Sequence, residues 1–331
     1  MGGISSTLRD NKYVRVALGF LVGFLFLYLS IRNVDWDEVG VLLENINYNW
    51  VLVAILAYWV ELGFRIVRWR TLLARIEPPI PLRLINIAFI CGYAANNVLP
   101  ARLGELFRAD LLGRLTNSSR LTVLGSIVVE RLFDVLAVLA MSVWGVYFVT
   151  TADGSALDLV RNGLGLLILP VALLVMGILW FVYLPDNFLV ARVKSISYHI
   201  GNLLRGLQVL EDPKSYISLT ANTIILWALN GVAVWAVMLA IGVDLSAGET
   251  VLLMGISGIA AAIPAMPAGI GTLQYGFHLG GQLLSLPASV AIVGSTLLQV
   301  SLLGTATLVG AMVYGYAVST HLLVEAEPEQ P

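Results

Sequence analysis

Charge is scarce in this chain. Only 12% of its 331 residues are Asp, Glu, Lys or Arg, about half the roughly 25% of a soluble domain. With 58% of residues hydrophobic, a water-soluble globule is excluded. The formal net charge of -2 excludes the basic footprint of a nucleic-acid-binding protein. A single cysteine, Cys91, rules out an internal disulfide, and in its apolar arm it reads as a small core residue. The three histidines, His199, His278 and His321, are too scattered for metal-ligand spacing. No Walker sequence is present to cradle nucleotide phosphates, so neither metal nor cofactor is expected. The ten-residue alternations of a membrane β-barrel are missing as well.

What the chain has instead is long apolar runs. They predict an all-α integral membrane protein with about six full spans, at 14–31, 50–67, 122–149, 164–184, 217–241 and 288–318. Each reaches or approaches the ~20 residues that cross a bilayer. Trp36, Tyr48, Trp50, Trp69, Trp180, Tyr183 and Tyr316 gather at span ends, as an interfacial belt requires. Arg9, Lys12 and Arg15 precede the first run in the manner of a signal peptide. No small-residue cleavage site follows, and the run reads as a retained span.

Two apolar regions are too short and too broken to cross. One runs over 84–99, stops at Pro100, and resumes from 103 to about 115. The other runs over 250–263, stops at Pro264 and Pro267, and resumes from about 268 to 286. An arm of about 14 residues rises only about 21 Å, short of a ~30 Å hydrocarbon core. Proline removes a backbone donor and disfavours helix at the residue before it. Both regions therefore read as re-entrant helical hairpins. Such backbone is tolerated at depth only where protein or a cavity surrounds it.

The breaks resemble each other. Pro100-Ala-Arg-Leu-Gly-Glu-Leu106 lies 167 residues before Pro267-Ala-Gly-Ile-Gly-Thr-Leu273, with six identities in thirteen from Ala94 to Leu106. This predicts a duplication within a single membrane domain, residues 1–320, with one repeat over about 12–150 and the other over about 160–318. Three crossings per half would invert the repeats, a common transporter architecture. Loop charge agrees. Loops 32–49, 150–163 and 242–249 are acidic, whereas the N-terminal arm and loops 68–83 and 185–216 are basic. The positive-inside rule then puts both termini in the cytoplasm, with 321–331 a disordered acidic tail and the plasma membrane the expected location.

Ionisable residues inside these segments mark the place to look for function. A charge in hydrocarbon costs roughly 2.5 to 3.5 kcal/mol even on a mild scale. Glu61, Arg65 and Arg68 are spaced i, i+4, i+7 on one helical stripe. Glu130 and Asp134 are i, i+4, with Arg131 beside them, and Glu105 and Arg108 are i, i+3. Glu61 lies eleven residues past Trp50, about 16 Å deep, and Glu130 about 12 Å past Thr122. With Arg102 at the hairpin tip, these groups converge on mid-bilayer. Guanidinium forks suit phosphate or carboxylate. The competing reading is a structural salt-bridge network, and Arg68 and Arg114 read as interfacial, snorkelling residues. Asn96 and Asn97 would cap the break or line a cavity. Gly269 and Gly271 would permit the second turn, or present amides to a headgroup. Asp35-Trp36-Asp37 has the pattern of a nucleotide-sugar transferase metal site, but a short acidic loop beside a span end is a poor setting for one. The glycosylation sequon at Asn117 falls on the cytoplasmic side and is discounted.

Three motifs carry a family resemblance. Asn97-Val-Leu-Pro-Ala-Arg-Leu-Gly-Glu-Leu-Phe-Arg108, Glu130-Arg131-x-x-Asp134 and Pro264-x-x-Pro-x-Gly-Ile-Gly271 resemble the flippase-like lysylphosphatidylglycerol synthase transmembrane family, over residues 12 to 318. The resemblance implies movement of lipids between leaflets, with some members in envelope glycan pathways. It makes Pro100, Arg102, Gly104, Glu105, Arg108, Glu130, Arg131 and Asp134 the site residues. The soluble transferase domain of bifunctional members is missing from this sequence, so no synthesis of an aminoacyl lipid is expected. Thr272-Leu-Gln274 also lacks the acidic residue often found there.

The expectation is a non-enzymatic transporter of a phosphate-bearing lipid, a phospholipid or a polyprenyl-phosphate-linked glycan. Two alternatives are an accessory subunit of envelope synthesis and an intramembrane lipid-phosphate transferase or hydrolase. The expected partners are the lipid itself, envelope-synthesis proteins or further copies of the chain, and no nucleic acid.

Overall fold

The computed structural model describes residues 12–74, 79–99, 103–148, 212–263, 266–320 and 322, with backbone alone at 12–18 and 148. The expected span at 164–184, Pro100, Arg102, Pro264 and the tail lie outside the described residues. Every regular element among the described residues is helical. They are α1 (Lys12–Ile31), α2 (Trp36–Glu44), α3 (Tyr48–Leu73), α4 (Leu82–Val98), α5 (Leu103–Thr116), α6 (Arg120–Phe148), α7 (Pro213–Ala240), α8 (Ala247–Ala262), α9 (Thr272–Leu283), α10 (Ala288–Leu298) and α11 (Gly304–Ser319). Tyr48–Leu73, Pro213–Ala240 and the continuous rod Ala288–Ser319 are long and apolar enough to cross a membrane, consistent with a membrane protein.

Local chemistry fixes the helix starts. Asp212 accepts from the amides of Lys214 and Ser215, with Pro213 at the first helical position, where its missing N–H costs nothing. Ser246 and Glu249 close a reciprocal capping box on α8. Asp35 caps α2 by accepting from the amides of Asp37 and Glu38, so that motif builds a helix start. α2 itself is an addition to the sequence reading, which took 32–49 as a loop.

Helices α3 and α7 form the central antiparallel pair. Along it, the Asn47 amide donates to Ala240 O at 2.8 Å. The rings of Trp50 and Trp235 meet edge-on at 5.4 Å, Asn230 reaches Glu61, and Arg68 reaches Thr223. Two further antiparallel contacts flank the pair. α6 packs on α8, with Gly145 against Leu252 and Ser142 against Gly255. α11 packs on α4, with Cys91 buried 4.0 Å from Gly310 O and Arg83 donating to the Tyr316 hydroxyl at 2.9 Å. One core gathers Trp69, Phe89, Leu112 and Ile127; the other gathers Met238, Leu252 and Phe277.

α4 and α5 fold back on each other, with Gly104 against the Asn96 backbone, where a Cβ would collide. α8 and α9 do the same around a 3-10 turn at Pro267–Gly269. Ala268, Gly269 and Gly271 all have positive φ there. A Cβ on Gly271 would also strike the Gly23 carbonyl of α1. Its amide donates to the Gln274 side chain at 2.8 Å, and the Gly269 amide to Met266 O. Both amides bond within the turn.

The last rod is not a simple helix. Between α10 and α11 it widens into a π-helix at Gln299–Leu303, a feature that costs regular hydrogen bonding and often marks functional sites. Its ends hold both hairpins. Gln299 donates to Ala268 O in the second turn, and Asn97 of the first hairpin donates to Leu303 O and the Thr307 hydroxyl.

Close glycine contacts make a direct test of this packing. A Cβ at Gly255 would lie 2.6 Å from Ser142 N, so Gly255→Val is expected to cost about 1–3 kcal/mol through overpacking. Gly63 has open space around it, and Gly63→Ala should be neutral or stabilise by up to about 1 kcal/mol. Thermal unfolding of the detergent-solubilised protein checks both.

Candidate functional site

Eight charged side chains meet where α3, α5 and α6 come together beside α7. The stripe Glu61, Arg65 and Arg68 faces out from α3 because helical periodicity puts i, i+4 and i+7 on one side. α6 presents Glu130, Arg131 and Asp134, and α5 contributes Glu105 and Arg108. Seven of the eight were anticipated as a site. Arg68 corrects the reading that made it interfacial: its side chain is 0% exposed, deep in the cluster. α3 continues six residues beyond the sequence-predicted end of that span at 67, which carries Arg68 into the core.

The contacts form one network. Glu130 receives Arg108 at 2.6 Å, Arg131 at 2.9 Å and Arg68 at 3.4 Å. Asp134 receives Arg68 at 2.8 Å, Arg131 at 3.3 Å and Arg65 at 3.5 Å. Glu61 receives Arg65 Nε at 2.7 Å and the Asn230 amide at 3.0 Å. Thr223 accepts from Arg68 at 3.1 Å. Arg108 lies over the Trp69 and Phe89 rings at 4.3 and 5.1 Å, and Arg65 lies 5.7 Å from the Trp227 ring. Among the described residues four guanidinium groups balance four carboxylates, a net charge of zero. That balance is needed, since an unpaired charge in a low-dielectric interior costs far more than a neutral network.

Exposure divides the network. Arg65, Arg68, Arg108, Glu61, Glu130 and Asp134 are all nearly sealed, none more than 9% exposed at the side chain. Arg131 is 30% and Glu105 21% exposed. They form the outer lip, where Arg131 Nε stands 3.3 Å from Glu105 Oε1 without the alignment of a hydrogen bond. Among the described residues Glu105 has this one cationic partner, whereas Glu130 and Asp134 have three each. The lip is thus the place where one acceptor can replace another without stripping the core.

Asn97 stands apart from this network, bonded to the π-helix region instead. Thr223, Asn230, Trp69 and Trp227 joined the site unannounced. Thr223 and Asn230 had a signal, two polar residues seven apart in an apolar span, hence on one face. Among the described residues, no group of His, Cys, Asp and Glu is arranged to hold a metal ion.

The chain matches the family described as the lysylphosphatidylglycerol synthase TM region over residues 16–310, and it belongs to that family. It is similar to glycosyltransferase AglD of Haloferax volcanii, 24% identical over 92% of this chain and 54% of AglD. It thus spans about half the length of that relative. UPF0104 membrane protein MJ1078 of Methanocaldococcus jannaschii is 24% identical over 71% of this chain and 98% of its own length. A UPF0104 membrane protein of Methanothermobacter thermautotrophicus is 21% identical over 78% of this chain and 82% of its own.

The burial of Arg68 sets a stability prediction. Arg68→Met leaves Glu130 and Asp134 each short of a partner and is expected to cost about 3–5 kcal/mol. Arg114→Met breaks a pair with Asp110 whose arginine is 49% exposed and should cost less than about 1 kcal/mol. Reversible unfolding in detergent separates the two.

Proposed function

We propose that this chain moves a phosphate-bearing lipid across the bilayer, holding the headgroup at the Arg131–Glu105 lip of the buried cluster. The observation that carries the reading is the contrast within one network. Six charges are locked against each other, and one arginine at the edge keeps a misaligned donor facing a singly partnered carboxylate. A phosphate oxygen accepts from an arginine fork at least as well as a carboxylate does. It takes the place of Glu105 while the six inner charges stay paired.

The architecture is read as six spans and two re-entrant hairpins in an inverted repeat. Support comes from the antiparallel α3–α7 pair, whose members occupy equivalent places in the two halves and run in opposite directions. Reciprocal packing adds to it: α6 of the first half lies on the second hairpin's first arm, and α11 of the second half lies on the first hairpin's. With the basic loops inward, both termini face the cytoplasm of a plasma-membrane protein. No covalent bond is made or broken in this reading, and energy comes from a gradient or from downhill flow.

The name of AglD favours a second reading, in which this membrane region assists glycan assembly on a lipid carrier as an accessory subunit. The two readings separate in proteoliposomes of the purified chain. Transport predicts that labelled lipid changes leaflet with unaltered mass. An accessory role predicts no movement without a partner, and a transferase or hydrolase predicts a product of new mass.

In that assay Arg131→Ala and Arg102→Ala are expected to abolish movement while the folded protein stays in the membrane. Wild-type transport by Arg131→Ala would remove the lip from the mechanism. Topology has its own check, because Cys91 is buried and leaves a clean background. Asp37→Cys should react with an impermeant maleimide on intact cells, and Ser118→Cys only after permeabilisation.

A further inference from the structure

A cavity of about 740 Å³ lies between α6, α7 and α8, within the 300–1,000 Å³ range of ligand sites. Its wall is overwhelmingly apolar, and it exists because the residues around it are small: Ala137 and Ala140 on α6, Ala228 and Gly231 on α7. It begins at Thr223 and Trp227 and continues along α7 past Trp235. From Thr223 to Trp235 the helix rises about 18 Å, close to the ~15 Å depth of one leaflet.

Both residues at its inner end touch the charged cluster. Thr223 takes the hydrogen bond of Arg68, and the Trp227 ring carries the Arg65 guanidinium. The indole Nε1 of Trp227 is a buried donor without a partner. A buried N–H normally has an acceptor, and this one borders open volume. Further along, polar groups are few.

We infer that this cavity seats one hydrocarbon chain of an amphiphile whose phosphate end lies toward Trp227 and the cluster. The inference rests on the transport reading and names the part of the lipid that the charged lip leaves unplaced. Trp227 donates to an oxygen at the polar end of the chain, Arg65 and Arg68 stand behind it, and the chain runs along α7 past Ala228 and Val232, with Gly231 and Met254, packed on each other, forming part of the wall. The 167-residue offset that aligns the hairpins adds support. It lays Glu61, Arg65 and Arg68 over Ala228, Val232 and Trp235, and all three of these line the cavity. The equivalent face that carries charge in the first half bounds an apolar space in the second.

The test uses the full chain in proteoliposomes with three photoreactive probes. These are phosphatidylglycerol and a polyprenyl phosphate, each with a diazirine in its hydrocarbon chain, and a diacylglycerol with the same acyl diazirine but no phosphate. Mass spectrometry should map crosslinks from one or both phosphate-bearing probes to Ala137–Met141, Trp227–Trp235 or Val251–Met254. Which of the two labels names the source. Ala137→Phe and Ala228→Phe should each cut that labelling at least tenfold at unchanged or higher thermal stability, since they fill space. Trp227→Phe should cut it about threefold or more with the phosphate probes and leave the diacylglycerol signal unmoved. Labelling confined to the outward face at Leu308 and Met312 overturns the proposal, as does equal labelling by diacylglycerol or wild-type labelling in both filling variants. Failure of the wild type to move lipid, with crosslinks still in the cavity, removes the transport reading and leaves the binding site standing.

Discussion

Electroneutrality inside an apolar protein is the constraint on which this structure turns. Three arginines on α3 and α5 are taken out of water, a fourth on α6 stands at their edge, and each buried one would be prohibitively costly alone. Four carboxylates make the arrangement possible, and only when α3, α5 and α6 stand in one register. Arg68 must reach both Glu130 and Asp134, while Arg108 must reach the other oxygen of Glu130. A slip of one turn, about 5.4 Å, would break several pairs together. Such a network adds little net stability over apolar packing. What it supplies is specificity of register, with the hairpin α4–α5 locked to the rods around it.

The two halves of the proposed repeat differ in charge. At the 167-residue offset, Glu130, Arg131 and Asp134 fall on Leu297, Leu298 and Ser301, and Glu105 and Arg108 on Thr272 and Tyr275. The second half therefore has no charged counterpart of the cluster. In its place it has a neutral amide chain, Gln274 to Gln299 at 2.7 Å and Gln299 to Ala268 O at 2.8 Å. The π-helix begins at that glutamine and ends at Leu303, whose carbonyl Asn97 takes. One irregular turn thus bridges the two hairpins through five residues.

Much of this was legible before any coordinates. Among the described residues, apolar runs and prolines located the long helices to within about six residues, α2 excepted, because burial and backbone sterics act locally. Spacing put Glu61, Arg65 and Arg68 on one stripe, Glu130 and Asp134 on another with Arg131 beside them, and Glu105 with Arg108; the role of Arg68 in the cluster was the part not read. Arg68 was lost because hydropathy ends a span at its first unpaired-looking charge, and the partner that pays for Arg68, Asp134, is 66 residues away. The same locality hid Asn97's bond across 206 residues to Leu303, and it hid the π-turn, which leaves no composition signal in a Val/Leu/Ser run. Thr223 and Asn230 were readable as a seven-spaced polar pair, but nothing in an apolar helix says which neighbour they meet.

Neutrality also bounds how the proposed lipid can be handled. The described charges of the cluster sum to zero, so a phosphate bearing one or two negative charges cannot simply be added to them. Something anionic must withdraw, or something cationic must enter with it. Glu105 is the group able to withdraw, since its one cationic partner is shared and it sits at the first turn of α5, directly after the break. Its departure from Arg131 toward water removes one negative charge as the phosphate supplies one. A doubly charged headgroup leaves one charge uncompensated, and a proton or cation travelling with it cancels that charge. On this argument, the lip that selects the headgroup is also where its charge is balanced, by a side chain in the first turn of α5 that can swing to water while Arg108 keeps the helix paired to Glu130.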